Sequence, residues 1–288
     1  MAKITIGTTL ILSSLTVIAK EKNLFRKNGI DADFRTFLTG RKAMQALQKG
    51  WVDMANIIDV NIAVHATEPK TKVKLLTCTQ MRKDGTILAR KDRGIKNPQD
   101  LLGKKLGYMK ETSSHMFLIY FCRHHGLNMK DIELIPTRTD QMEKELIQGK
   151  IDACSIWQPF TTRTRIAAGM AEIELTTLKN IDFFELYVMM GVNAKSLEKK
   201  LKDVEAVIKT LHEADAFIKN NREEADEILA KSMDMQVPFY RQVREDIHDE
   251  IQPIKPEFWA QVNQHIKWWG YKGEICYENF IDKASNIE

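Results

Sequence analysis

The sequence predicts an α/β protein of two similar halves, each a mostly parallel sheet covered by helices. Three observations carry this. Gly50-Trp51-Val52-Asp53-Met54-Ala55 recurs in kind as Gly149-Lys150-Ile151-Asp152-Ala153-Cys154: glycine, any residue, a branched aliphatic, aspartate, then two small or apolar residues. Each copy follows a helix-like stretch (41–49 and 141–148) and lies downstream of a helix ending in a Gly-aliphatic pair, Gly29-Ile30 or Gly126-Leu127. Beyond Ser196 the character changes to helical patterns with no strand between them. Two like halves suggest a cleft, and a cleft suggests a small ligand.

The elements follow in order. Residues 4–7 read as a strand, and Ser13 or Ser14 caps a helix running to about Lys22. Residues 32–37 alternate as a strand, and 42–49 form a helix closed by Gly50. Short apolar strands at 54–58, 74–79 and 86–89 surround a helical turn at 60–66. The polar stretch 91–98 reads as a linker. The pattern then restarts with a strand at 104–108, a helix at 116–125 capped by Ser113 or Ser114, a strand at 132–135, a helix at 141–148 and a strand at 153–157. Pro159 starts a helix that Gly169 stops, and 185–192 is an apolar strand. Helices at 202–220, 222–233, 238–248 and 256–269 complete the chain. The helical tail is expected to fold back over the first half, so 1–90 with 193–288 forms one domain and 91–192 is inserted, with the two crossover strands as a hinge.

The 288 residues are 43% hydrophobic and 28% charged, ordinary for a globular protein. The net charge of +4 is dispersed, which argues against nucleic acid as a partner. No stretch approaches the ~18 apolar residues that span a bilayer, and no leader pattern opens the chain. Either a leader has been removed or, if Met1 is native, the protein is cytoplasmic. Cys78, Cys122, Cys154 and Cys276 are widely spaced and read as free, mostly buried thiols, with a Cys122–Cys154 disulfide as the lesser alternative. Cys122, His124 and His125 do not supply the four ligands of a closed zinc site, so no metal is expected, and no cofactor motif occurs.

Ligands of open α/β sheets bind beyond the carboxyl ends of the strands. That rule selects Thr9, Leu10 and Ser13 after the first strand, Asn56 and Asp59 after the third, then Asp84, Thr112-Ser113-Ser114, Trp157 and Glu185. The Thr112–Ser114 helix start offers backbone N–H groups and hydroxyls to an anion, with plain capping as the alternative. Trp157 supplies a flat apolar wall or a core aromatic. Asn56, Asp59 and Glu185 are acceptors for an amine or amide, or turn and surface residues. Trp259, Trp268 and Trp269 read as core residues of an amphipathic helix.

The stretch 19–33 (AKEKNLFRKNGIDAD) resembles the sulfonate/nitrate/thiamine-precursor periplasmic binding proteins, the solute-binding components of ABC importers. Similar elements follow in the same order: Ala46–Asp53, Asn97–Gly107, Lys110–Leu118, Gly149–Asp152 and Trp157-Gln158-Pro159. The resemblance implies a two-lobed type II periplasmic-binding-protein fold. It also implies a small-molecule ligand in the interlobe cleft, an ABC permease as membrane partner, an extracytoplasmic location after removal of a leader, and a monomer. Residues 8–12 lack the polar or aromatic residues of well-defined ligand subgroups, so the ligand class rests on the serine helix start, which favours a sulfonate or carboxylate. The adjacent cysteines of the pyrimidine-synthesis relatives are absent, and no catalytic motif occurs, so a binding protein is expected rather than an enzyme. A cytosolic enzyme of pyrimidine-like biosynthesis, or a ligand-sensing domain on the same fold, is the alternative.

Overall fold

The computed structural model describes residues 3–9, 11–65, 72–178, 184–271, 275, 280 and 281. Its elements run β1 (Lys3–Thr9), α1 (Ser14–Glu21), α2 (Leu24–Lys27), β2 (Asp31–Phe37), α3 (Gly40–Gln48), β3 (Met54–Ile58), α4 (Asp59–His65), β4 (Val73–Arg82), β5 (Thr86–Arg90), β6 (Lys105–Tyr108), α5 (Ser113–His124), β7 (Glu133–Pro136), α6 (Thr139–Ile147), β8 (Ala153–Ile156), α7 (Phe160–Met170), β9 (Leu175–Leu178), β10 (Leu186–Asn193), α8 (Ala194–Asn220), α9 (Arg222–Ser232), α10 (Val237–Val243), β11 (Ile247–Gln252) and α11 (Pro256–Trp268).

The chain divides into unit 1, Met1–Arg82 with Leu186–Glu288, and unit 2, Lys83–Glu185. Unit 1 holds a six-stranded sheet in the order β11-β4-β10-β3-β1-β2, and unit 2 a five-stranded sheet in the order β7-β6-β8-β5-β9. In each, the repeated β-α-β-α-β segment gives the parallel pairs: β1 with β2 and β3, β6 with β7 and β8. The strands after the crossovers join antiparallel, β10 beside β3 and β5 beside β8, so both sheets are mixed.

The divisions fall at Arg82/Lys83 and Glu185/Leu186, earlier than the expected 90/91 and 192/193. The reason is pairing: β5 is hydrogen-bonded in the second sheet and β10 in the first, so neither strand is a connector. The expected linker at 91–98 lies inside unit 2, where short 3-10 turns at Lys91–Arg93 and Pro98–Leu101 tighten the chain. The expected helix 238–248 ends early. Its last part starts β11, whose polar sequence IHDEIQ hides a strand that pairs along the edge of β4. The short β9 also escapes sequence reasoning.

The repeated motif has one geometry in both units. Gly50 and Gly149 each adopt φ +69°, the left-handed turn that releases the chain from α3 and α6. The Asp53 amide donates to Thr5 O at 2.8 Å while its Oδ2 accepts from Thr5 N at 2.8 Å. Asp152 does the same to Lys105, at 2.8 and 2.9 Å. Each aspartate thus extends the β-ladder by one side chain at the entry of its unit's central strands.

The core of unit 1 packs α3, α4 and α11 on the sheet through Met44, Leu47, Ile57, Ile62, Met189, Phe258, Val262 and Ile266, with Trp259 and Trp269 against it. Unit 2 has a smaller core around Leu88, Met142, Leu146, Ile151 and Ile156. Cys78, Cys122 and Cys154 are buried free thiols, and Cys276 lies outside the described residues. Burial pushes Cys122 and Cys154 up to about 12.

Candidate functional site

In unit 1 the chain turns directly from β1 into α1. The Thr9 amide donates to Ser13 Oγ at 3.0 Å, which closes the loop. Leu10 lies outside the described residues. Thr9 is buried and its Oγ1 has no hydrogen-bond partner. No side chain caps the first turn of α1 among the described residues. Beside the loop lies a cavity of about 230 Å³ whose lining includes Thr8, Thr9, Lys20, Phe34 and Thr36.

Asn56 is buried beneath this loop. Its Oδ1 accepts from Thr16 at 3.3 Å and its Nδ2 donates to Thr79 at 3.1 Å, so it ties α1 to the sheet. Asp59 is fully buried. One oxygen accepts from Val60 N at 2.7 Å; the other accepts from Gln261 Nε2 at 2.6 Å and Tyr187 N at 3.2 Å and lies 3.4 Å from His265 Nε2. The fully buried carboxylate is thus bonded to α4, β10 and α11.

Three residues that were not singled out from the sequence hold the same loop, Gln80 and Arg82 within the strand-end stretch 79–84 and Asp249 outside it. Buried Arg82 donates from Nη1 to Ile11 O at 3.1 Å and to Gln80 Oε1 at 3.0 Å. Gln80 Nε2 donates to Ser14 Oγ at 3.3 Å and to Asp249 Oδ1 at 2.6 Å. Enclosure raises the Asp249 carboxyl above its ordinary range, against hydrogen bonds from Gln80 and Ser14 that lower it. A glutamine and an arginine two apart at the end of an apolar strand were the available signal.

In unit 2 the turn from β6 into α5 repeats the arrangement. The Met109 amide donates to Ser114 Oγ at 3.2 Å, and that hydroxyl donates to Ser155 O at 2.7 Å. Ser155 returns a bond from its own Oγ to Ser114 O at 2.8 Å. Thr112, at the cap position, turns its hydroxyl back to Met109 O at 2.7 Å, and no side chain caps α5 among the described residues. Glu111 takes the left-handed conformation, φ +59°, that the tight turn demands. Ser113 is half-buried in the first turn of α5. Burial lowers His115 below its ordinary value; its Nδ1 accepts from Glu111 N at 3.4 Å.

Buried Asp84 accepts from Gln158 N at 3.0 Å and so holds the loop after β8. Gln158 Oε1 in turn accepts from Thr162 N and Oγ1 at 3.2 and 3.0 Å. Trp157 is half-buried, edge-on to Phe160 with ring centroids 6.0 Å apart. Glu185 is the half-buried last residue of unit 2. Of the predicted residues, the structure brings Thr9 and Ser13 into one loop and Thr112, Ser113 and Ser114 into another. Asn56 is bonded to Thr16 and Thr79, Asp84 to the loop after β8, and Asp59 to α4, β10 and α11. Among the described residues no group of three or more His, Cys, Asp or Glu is placed to hold a metal, and no helix is long and apolar enough to cross a membrane.

Two sheets of this topology with uncapped helix starts define the α/β frame of a periplasmic binding protein, and the comparisons agree. The model of the NMT1/THI5-like family matches residues 13–225, and the chain belongs to that family. It is 30% identical over 223 residues to a putative binding protein of Brucella abortus, covering 76% of this chain and 67% of that one. It is 26% identical over 238 residues to a putative aliphatic sulfonates-binding protein of Escherichia coli, covering 77% and 69%. In structure it matches the periplasmic aliphatic sulphonate-binding protein SsuA of Escherichia coli with a TM-score of 0.81 at 23% identity, over 98% of this chain and 97% of that one. The desulfurization enzyme DszB shares the fold at a TM-score of 0.73 and 11% identity, over 99% and 97% of the two chains. The fold therefore hosts both binding proteins and an enzyme, while these sequence relatives carry the names of binding proteins.

Proposed function

We propose that this chain is the extracytoplasmic solute-binding component of an ABC importer, and that its ligand is a small organic anion, a sulfonate or carboxylate. One observation carries the ligand class: each unit presents a strand-to-helix turn lined with hydroxyls and closed by a serine, with a cap residue, Ser13 or Thr112, whose side chain makes no cap bond to the first turn. Such helix starts favour anions through free N–H groups and the helix dipole. The names of the relatives supply the sulfonate precedent, and a membrane permease is the partner that the importer role calls for. An amine-bearing ligand loses support because Asp59 is fully buried and accepts from Val60 N, Tyr187 N and Gln261 Nε2.

Differential scanning fluorimetry and calorimetry with ethanesulfonate, hexanesulfonate, taurine and hexanoate test the reading. At 100-fold excess over Kd the expected stabilisation is about 2.7 kcal/mol. A neutral analogue such as hexanol gives none. Equal stabilisation by hexanol, or no response to any anion at millimolar concentration, overturns the anion assignment.

A further inference from the structure

The stretch Gln80–Asp84 is where the chain passes from unit 1 to unit 2. Alternate residues along it hold the turn into α1, which the proposed function assigns to the ligand, and the loop of the candidate residue Trp157. Arg82 and Gln80 reach Ile11 O and Ser14 Oγ in unit 1, at 3.1 and 3.3 Å. Asp84, two residues on, takes the Gln158 amide of the Trp157–Pro159 loop in unit 2 at 3.0 Å. Arg82 and Asp84 are each 1% exposed, while Lys83 between them is exposed. The ends of the stretch are fixed as well. Arg82 pairs in the sheet with Leu186, the residue at which the chain re-enters unit 1. Gly85 lies so close to the Phe117 ring of α5 that a Cβ would meet it at 2.3 Å.

We propose that Arg82 and Asp84, two residues apart at this crossover, are positioning residues, Arg82 for the loop that leads into α1 and Asp84 for the Trp157–Pro159 loop. The proposal rests on the solute-binding reading for its ligand and on geometry for its mechanism. Burying a guanidinium is costly unless its donors are used, and here they are used on the carbonyl of a loop residue. Such a chain of hydrogen bonds links the crossover to loop order without any contact between Arg82 or Asp84 and ligand.

The test uses the full chain without ligand. Arg82→Met is expected to speed hydrogen exchange about 10- to 100-fold in the amides of residues 11–18 and to leave residues 157–162 as in the parent, with Asp84→Ala giving the reverse pattern. Arg82→Lys and Asp84→Asn, which keep a donor or acceptor, restore a large part of the protection. Calorimetry with hexanesulfonate is expected to show affinity lowered about tenfold by Arg82→Met and by Asp84→Ala, and recovered by the conservative pair. Exchange that rises evenly through a whole unit, or loops as protected as in the parent, overturns the positioning role. Should Arg82→Met not fold, the Asp84 pair decides by the same criterion. A parent protein that binds no sulfonate overturns the ligand assignment alone, because the ligand-free exchange pattern still decides the positioning role.

Discussion

Unit 1 and unit 2 reach the same turn with different supports. In unit 2 the turn into α5 is held by neutral hydroxyls, Ser114 and Ser155 exchanging bonds with each other's carbonyls. In unit 1 the turn into α1 is held by Arg82, Gln80 and Asp249, side chains of the neighbouring β4 and the edge strand β11. The difference follows from what surrounds each sheet. Unit 1 gains β11 and the helices after β10, which bring charged groups to the back of its loops, whereas unit 2 has only its own strands to draw on. A repeated sequence motif thus fixes a repeated backbone, while the surroundings of each copy decide how it is stabilised.

The largest expected effect is at Asp59. Asp59→Ala leaves two buried amide donors and Gln261 without an acceptor and is expected to cost about 3 kcal/mol of unfolding free energy in urea titrations. A loss under 1 kcal/mol would show that the carboxylate is free for other duties. Ser114→Ala removes both the acceptor of Met109 N and the donor to Ser155 O, and about 2 kcal/mol is expected; Ser13→Ala, with one bond to Thr9 N, is expected to cost about 1. Equal losses would break the contrast drawn between the two turns. At the repeated glycines an alanine meets the same φ of +69°, so each substitution costs about 1 kcal/mol. Gly149→Ala is expected to lose slightly more than Gly50→Ala, because its Cβ meets the mobile end of Arg93 at 2.6 Å where Gly50 finds nothing nearer than 3.8 Å.

The smallest effects concern protonation. Burial disfavours the charged Asp53, but hydrogen bonds from Lys200, Ser196 and Thr5 N outweigh it and hold the carboxyl below its ordinary value. A depressed folded value adds stability above the unfolded value, near 3.8, and that stability is lost as pH falls through the folded value. Asp53→Asn is therefore expected to flatten the acid limb of a stability-versus-pH curve below about pH 4. In unit 2 the thiols of Cys122 and Cys154, raised to about 12, are expected to react with iodoacetamide at pH 8 only after unfolding.

Much of the architecture could be read from the chain. Gly50 with Asp53 and Gly149 with Asp152 marked the repeat because only such residues satisfy a left-handed helix exit followed by a strand entry. The hydroxyl-rich start at Thr112–Ser114 was readable for a similar local reason. The strand in IHDEIQ was not, because its place is set by pairing with β4 rather than by its own alternation. The protein partners of Asn56, Asp59 and Asp84 were not readable at the level of residue type. An acidic or amide side chain after a strand reads alike whether it faces a ligand or the protein's own amides, and only the partners at about 3 Å tell them apart.

Local rules of turn and helix chemistry, acting within about ten residues, determined the two α/β repeats, the serine helix starts and the buried thiols from sequence alone. Contacts between residues far apart in the chain decided the rest: which unit owns β5 and β10, the fate of Asp59, and the grip of Arg82 on Ile11 across 71 positions. The physical reason is that a hydrogen bond's partner is chosen by proximity in space, and sequence spacing encodes proximity only over a turn or two.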